Sequence, residues 1–458
     1  MRLQLLSSSL FAGLMLGFAP ASAQTPPTEV LIMHELAADV SATRLQVDVQ
    51  KLVDFGTRHT LSETASETRG IGAARRWIKR EFEAISAECG GCLEVITVSA
   101  VIQGETRIPD PVNVVSVIAI QRGTLDPDRY VLMAGDIDSR ITDAMNFTDD
   151  SPGANDNATG MAGALEAARV LSKHKFAGSI IYAGLAGEEQ GLFGGKILAA
   201  HALANDWRIK AVLNNDMIGN ITGIDGVTDN ATARVFSEGT RDNETVQEAR
   251  IRRFTGGEVD SPSRNLARYV DVRADRYIPN LDVMMVYRLD RFGRGGHHRP
   301  FNEVGIPGVR IMETHEHYDR QHQDLRTENG RQYGDVIEGV NFDYVRKLTA
   351  LNVVSLAEMA DAPPFPANVT IKGAVQPSTE LSWTLANGKA AENLAGYKVY
   401  WRLTDAPNWQ FSRFVGKVDH AVLENIVIDN YYFGVASVAT NGAESPVVFP
   451  GAAGSFGD

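Results

Sequence analysis

Acidic residues at the ends of apolar runs are where this chain could do chemistry. Tyr-Val-Leu-Met-Ala134 runs into Gly135-Asp136-Ile137-Asp138, and Ile-Ile-Tyr-Ala-Gly-Leu185 runs into Ala186-Gly187-Glu188-Glu189. Lys-Ala-Val-Leu-Asn-Asn215 runs into Asp216, and Asp156 sits in the glycine-bounded stretch Gly153-Ala-Asn-Asp156-Asn-Ala-Thr-Gly160. Taken singly, such residues are commonly helix caps and turn formers. Together they form a group of carboxylates that would repel one another and raise each other's pKa unless a cation neutralised them. A divalent metal is the economical answer, and two adjacent metals can clamp a hydrolytic reaction. Imidazole donors occur late: His315, His317 and His322 in one segment, and His297-His298 in a glycine-rich loop.

The elements that must position these groups follow from periodicity. Apolar runs at 112–120, 130–134, 179–185, 211–213 and 281–286 alternate with helical stretches at 158–172 and 192–204. Ile71, Ala74, Trp77, Ile78, Phe82 and Ile85 also recur at helical spacing. Continuous apolar strands between helices predict an α/β fold with a mostly parallel central sheet flanked by helices and buried on both faces. In such open sheets ligands bind beyond the carboxyl ends of the strands. If the acid-tipped strands are neighbours, their carboxylates converge on one crevice.

A helix predicted over 342–359 ends at Asp361-Ala-Pro-Pro-Phe-Pro-Ala367, a proline-rich break expected to act as a linker. Beyond it the pattern changes to short alternating strands, which predicts an all-β, immunoglobulin-like sandwich over 362–458. Leu-Ser-Trp383, Tyr397-Lys-Val-Tyr-Trp401 and Tyr432-Phe-Gly-Val-Ala-Ser-Val438 resemble fibronectin type III strands. No catalytic set stands out there; contact with a surface or polymer is one use open to it, and capping the catalytic domain is the other.

At the other end, Arg2 precedes an apolar run at 10–18, and Ala21-Ser22-Ala23 supplies the small-x-small cleavage pattern. Residues 1–23 are expected to be a signal peptide, and 24–361 the catalytic domain of a secreted or periplasmic protein. No later segment reaches transmembrane length. Cys89 and Cys92 are the two cysteines. A local disulfide is the expected state in an oxidising compartment, ahead of a redox motif or half a zinc knuckle. The net charge of −13 leaves no basic face for a nucleic-acid partner.

The ordered set Asp136-Ile-Asp138-Ser139, Gly153 to Gly160, Glu188-Glu189-Gln-Gly191, Asp216-Met217 and His322 resembles the co-catalytic zinc aminopeptidases, the aminopeptidase S and aminopeptidase Y group. Phe55-Gly-Thr-Arg-His-Thr60 is also similar to an N-terminal segment of that family. The resemblance implies a metal-dependent exopeptidase that releases N-terminal amino acids from peptides. It implies that Asp156 bridges two metals, that Glu189 and His322 complete the first site, and that Asp136 and Asp216 complete the second. Glu188 would be the general base and Asp138 would orient a ligand. His315 and His317 rival His322, His298 would face substrate, and His297 could stand in for a missing ligand.

One departure is visible: Asp136 stands where the family has histidine. The implied cofactor is Zn²⁺, with an all-oxygen second site that would favour Mn²⁺, Mg²⁺ or Ca²⁺. Two other functions fit the same residues: a single-zinc glutaminyl cyclase, and a binding protein that has lost catalysis.

Overall fold

The computed structural model describes residues 25–457. The expected signal segment, 1–23, lies outside them. Among the described residues no helix is long and apolar enough to cross a membrane.

The chain opens with helices α1 (Ile32–Ala38), α2 (Ala42–Val53) and α3 (Gly70–Glu88). Cys89 and Cys92 are disulfide-bonded in the turn after α3. Strands β1 (Leu93–Ile102), β2 (Val112–Gln121) and β3 (Asp126–Asp136) come next, then α4 (Thr159–Leu171) and β4 (Gly178–Leu185). After them lie α5 (Glu188–Gly191), α6 (Phe193–Ala204), β5 (Arg208–Asn215) and β6 (Thr232–Ser237). Helices α7 (Val246–Thr255) and α8 (Pro262–Tyr277), strand β7 (Asp282–Val286), helix α9 (His298–Glu303) and strand β8 (Gly308–Glu313) complete the sheet-forming part. A small ribbon, β9 (Arg326–Glu328) with β10 (Arg331–Tyr333), precedes the long helix α10 (Phe342–Asp361).

Eight strands form one sheet in the order β1-β2-β4-β3-β5-β8-β6-β7. The central pairs β4–β3, β3–β5 and β5–β8 are parallel, and β1, β2 and β6 introduce antiparallel neighbours. Along β3, Val131 and Met133 enter one buried cluster, whereas Tyr130, Leu132 and Ala134 enter another. That alternation is why the central strands read as unbroken apolar runs: each face is covered, the first by α2, α3, α4, α8 and α10, the second by α6 and α9. The mixed α/β class with a mostly parallel sheet is as the apolar runs predicted.

Close approach of α4 to the sheet depends on glycine. A Cβ on Gly135 would lie 2.3 Å from the carbonyl carbon of Gly160, and a Cβ on Gly160 would lie 2.3 Å from the Asn215 carbonyl oxygen. Both contacts are with backbone and neither can yield cheaply. Glycine at these two positions lets the start of α4 sit directly on β3 and β5, beside Asp136 and Asp216.

The C-terminal strands are β11 (Ala367–Lys372), β12 (Thr379–Thr384), β13 (Leu394–Leu403), β14 (Phe411–Gly416), β15 (His420–Leu423) and β16 (Tyr431–Ala439). They make two three-stranded antiparallel sheets, β11-β12-β15 and β14-β13-β16. Leu381, Trp383 and Leu423 of the first share a core with Tyr397, Val399, Phe433 and Val435 of the second.

The proline-rich break does end α10, but it is packed down rather than free: Ala362, Pro363, Phe365 and Pro366 are buried. The buried Arg129 guanidinium donates to the carbonyls of Met359, Ala360 and Ala362. These carbonyls end a helix with no following turn, and the guanidinium supplies the donors they lack. Asp260, buried between Arg268 at 3.0 Å and Arg402 at 2.8 Å, ties the C-terminal sheets to α8.

Candidate metal centre

The acid-tipped strands β4, β3 and β5 are adjacent and parallel, so their carboxyl ends open on the same side. The crevice there is an open cavity of about 640 Å³ whose lining includes Asp156, Glu188, Glu189, Asp216 and His322.

Three of these converge. Nε2 of His322 lies 2.9 Å from Oδ2 of Asp156 and 2.9 Å from Oε1 of Glu189. One ligand atom from each falls within 4.8 Å of the other two. One nitrogen and two carboxylate oxygens, with one side open to the cavity, could hold a zinc ion and leave a coordination position free. The fit is chemical as well as geometric. Burial and neighbouring acids push Glu188 well above the ordinary carboxylate range, and burial pushes Asp136 and Asp216 each up to about 8. A divalent ion beside these carboxyls would favour their ionised forms and offset the cost of burying them. Of the rival imidazoles, His315 pairs with Asp225 at 3.2 Å and His317 is not among the residues lining the cavity.

Asp156 is held by its loop. Gly153 adopts a left-handed φ of +50°, which turns the chain in from β3. The buried Arg58 guanidinium donates to the carbonyls of Ile137 (2.9 Å), Pro152 (2.6 Å), Gly153 (2.8 Å) and Leu52 (3.0 Å). From the other side, the Asp335 carboxylate accepts the backbone N–H groups of Asn155 (2.9 Å) and Asp156 (2.7 Å). Burial pushes Asp335 up to about 7, against the pull of those N–H groups. Glu313 accepts from the Asn155 side chain (2.8 Å) and from the Asn220 backbone (2.8 Å), fixing the neighbouring turn.

Asp138 acts on the glutamates through their backbone. Its two oxygens accept from Glu188 N–H (3.2 Å) and Glu189 N–H (3.1 Å), and the Thr60 hydroxyl donates to it at 2.9 Å. Gly187, left-handed at φ +76°, starts the short helix α5 that carries both glutamates. Arg140 donates to Oε2 of Glu189 (2.8 Å) and to Nδ1 of His322 (2.7 Å), so it bridges two of the three converging groups.

Asp136 and Asp216 are placed differently. Asp136 shares a hydrogen bond with Nδ1 of His297 at 2.5 Å and accepts from the Asn157 side-chain amide at 2.7 Å. Asp216 pairs with the buried Arg310 guanidinium at 2.7 Å. Among the described residues neither joins two other ligand atoms within 4.8 Å, as Asp156, Glu189 and His322 do. The reason is local: partners within the protein already occupy both Asp136 oxygens and one oxygen of Asp216.

His298 is fully buried, bonds through Nε2 to the Leu289 carbonyl at 2.8 Å, and is not among the residues lining the cavity. Burial pushes both His297 and His298 down to about 4, which keeps them neutral.

In the sequence Arg58 lies within the segment of family likeness, and Arg140, Asp335, Glu313 and Arg310 belong to none of its motifs. Arg310 and Glu313 did leave a signal: each is a charge in the otherwise apolar strand Gly308–Glu313. Asp335, between Gly334 and Val336, left none.

Comparison with known proteins identifies the family. Residues 113–340 match the model of peptidase family M28. A protein named "Probable zinc metalloprotease" from Leptosphaeria maculans is 43% identical over 426 residues, covering 93% of this chain and 97% of the relative. One of the same name from Pyricularia oryzae is 41% identical over 434 residues, covering 94% and 86%. The crystal structure of the Legionella pneumophila LapA aminopeptidase shares the fold, with a TM-score of 0.54 at 20% identity, over 76% of this chain and 78% of that one. LapB from the same organism does so at a TM-score of 0.51 and 18% identity, over 74% and 78%. With near-complete relatives well above 30% identity and a family match laid over the acid-tipped strands, this chain belongs to peptidase family M28 and is a zinc metallopeptidase.

Proposed function

We propose that the protein is an exopeptidase that removes N-terminal residues from peptides, with zinc held by Asp156, Glu189 and His322 and with Glu188 as general base. The observation that carries this reading is the convergence of those three ligands in one open cavity that Glu188 also lines. When bound, the metal would polarise the scissile carbonyl and acidify the attacking water.

The residues of the chain do the rest. Glu188 takes the proton of the attacking water and returns it to the departing amine, which requires its carboxylate to be ionised. In the metal-free pocket burial and the neighbouring acids hold that proton on. A cation beside it favours the ionised form, so the base becomes competent only in the loaded protein. Asp138 keeps the two consecutive glutamates in register, and Arg140 steadies Glu189. We further propose that the chain acts outside the cytoplasm after removal of 1–23, and that the C-terminal sheets are a fibronectin type III-like module for surface contact.

A second reading, attack from the carboxyl end, is favoured by one observation. The cavity lining also carries Arg107, Lys196, Arg294 and Arg299, cations suited to a free carboxylate. Incubating the zinc-loaded protein with a peptide of distinct ends, free or blocked at either terminus, separates the two. Loss of the N-terminal residue, abolished by N-acetylation, is the expected result. Loss of the C-terminal residue favours the second reading. Loss of ammonia from an N-terminal glutamine peptide, or no turnover with Zn²⁺, Mn²⁺ or Co²⁺, overturns both.

A further inference from the structure

We propose that the Arg310 guanidinium occupies the electrostatic place of a second metal, so that the protein binds one catalytic divalent ion per chain. The inference rests on the zinc site assigned under the proposed function and concerns the other half of the same crevice.

Backbone pairing fixes where the guanidinium goes. Arg310 on β8 lies opposite Asn214 on β5, two residues before Asp216, and the Asp216 N–H donates to the Ile311 carbonyl at 3.3 Å. The Arg310 side chain is fully buried, 2.7 Å from Asp216 Oδ2. Its other terminal nitrogen donates to Asp290, at 3.2 Å to the nearer oxygen, and to the Gly295 carbonyl at 2.7 Å. A guanidinium gripped by two carboxylates and a carbonyl cannot swing aside to admit an ion, and it repels a second dication brought up to Asp216.

Asp136 is withdrawn as well. The Asn157 amide that donates to it is locked, because its oxygen accepts from the N–H groups of Gly160 (3.0 Å) and Met217 (3.2 Å). The other Asp136 oxygen is held by His297 Nδ1. Asp216 Oδ1, His297 Nε2 and the Arg310 Nε and Nη2 nitrogens have no hydrogen-bond partner, and Nη2 meets Asp216 as an ion pair. Among the described residues, Asp216 Oδ1 and His297 Nε2 do not gather with a third ligand atom within 4.8 Å. Asp136 therefore positions His297, and Arg310 positions Asp216. Neither Arg310 nor His297 is among the residues lining the cavity, so both act through the carboxylates they hold.

Metal stoichiometry tests this without reference to turnover. The full chain is stripped with chelator, loaded with excess Zn²⁺, desalted, and its metal measured against protein by mass spectrometry. A zinc-edge anomalous map of crystals soaked in zinc is collected in parallel. One equivalent and one peak, at Asp156, Glu189 and His322, is expected. Two tight equivalents, with the second peak at Asp216 and either Asp136 or His297 Nε2, would overturn the inference while leaving the first site standing. No bound zinc would instead overturn the zinc assignment on which it rests.

Variants add a second arm, with folding checked by circular dichroism. Arg310→Gln should take up a second equivalent and Arg310→Lys should remain at one. A folded Arg310→Gln protein that also stops at one would remove the guanidinium as the cause. If Arg310→Gln fails to fold, the wild-type stoichiometry and map decide alone.

Discussion

Asp335→Asn is the sharpest test of how the chain holds Asp156 in place. The native carboxylate accepts the N–H groups of two consecutive residues, Asn155 at 2.9 and 3.0 Å to its two oxygens and Asp156 at 2.7 Å. The isosteric amide keeps one acceptor oxygen and turns an NH₂ group towards a donor, so one charge-assisted bond is lost. Such a bond is worth about 1.5–3 kcal/mol. If that cost falls on the Asp156 loop, zinc affinity should drop by about ten- to a hundredfold, the range typical of groups that orient ligands. The pH dependence is specific. Burial pushes Asp335 up to about 7, so the native residue is ionised above that value and increasingly protonated below it. The difference between native and variant proteins should be largest at pH 8 and smaller at pH 6. Competition between the protein and a chromophoric chelator for Zn²⁺, at both pH values and with thermal melts as a check on folding, measures this. An affinity within twofold of native at pH 8, in a folded variant, would refute the claim that Asp335 presents Asp156 to the metal.

Glu188→Gln should lower kcat by at least about a hundredfold, the lower end of general-base contributions, while zinc content stays at the native level; metal analysis beside steady-state kinetics checks both. In metal-free protein the folded-state carboxyls of Asp136 and Asp216 sit near 8, far above the ordinary value of 3.8. The folded state then binds protons more tightly than the unfolded, so stability is fullest below about pH 4 and is lost as pH rises through 8. Chelator-treated protein should accordingly melt lower at pH 8 than at pH 6, zinc should reduce that difference, and calorimetry in two buffers should detect proton release on zinc binding. Gly135→Ala drives a Cβ to 2.3 Å from the Gly160 backbone and should destabilise by at least about 1–3 kcal/mol, read from denaturant unfolding.

The sequence alone carried the α/β class, because strands covered on both faces must be apolar throughout, and Val131, Leu132, Met133 and Ala134 are all fully buried. It also marked the acids, since carboxylates that end buried strands have one place to converge once those strands are parallel neighbours. The adjacency of β4, β3 and β5 was a condition that the sequence posed and the sheet met. His322 could be singled out by order along the chain but not by contact, because His315 and His317 lie within a few residues of it.

Only the tertiary structure decided which acids share a point. Asp136 and Asp216 look like ligands by position, yet their oxygens meet His297, Asn157 and Arg310, groups 161, 21 and 94 residues away along the chain. Ligand spacing is a local property that a sequence displays. The charge that balances a buried carboxylate is set by whatever side chain the sheet brings beside it, and nothing in the neighbouring residues of the chain records that.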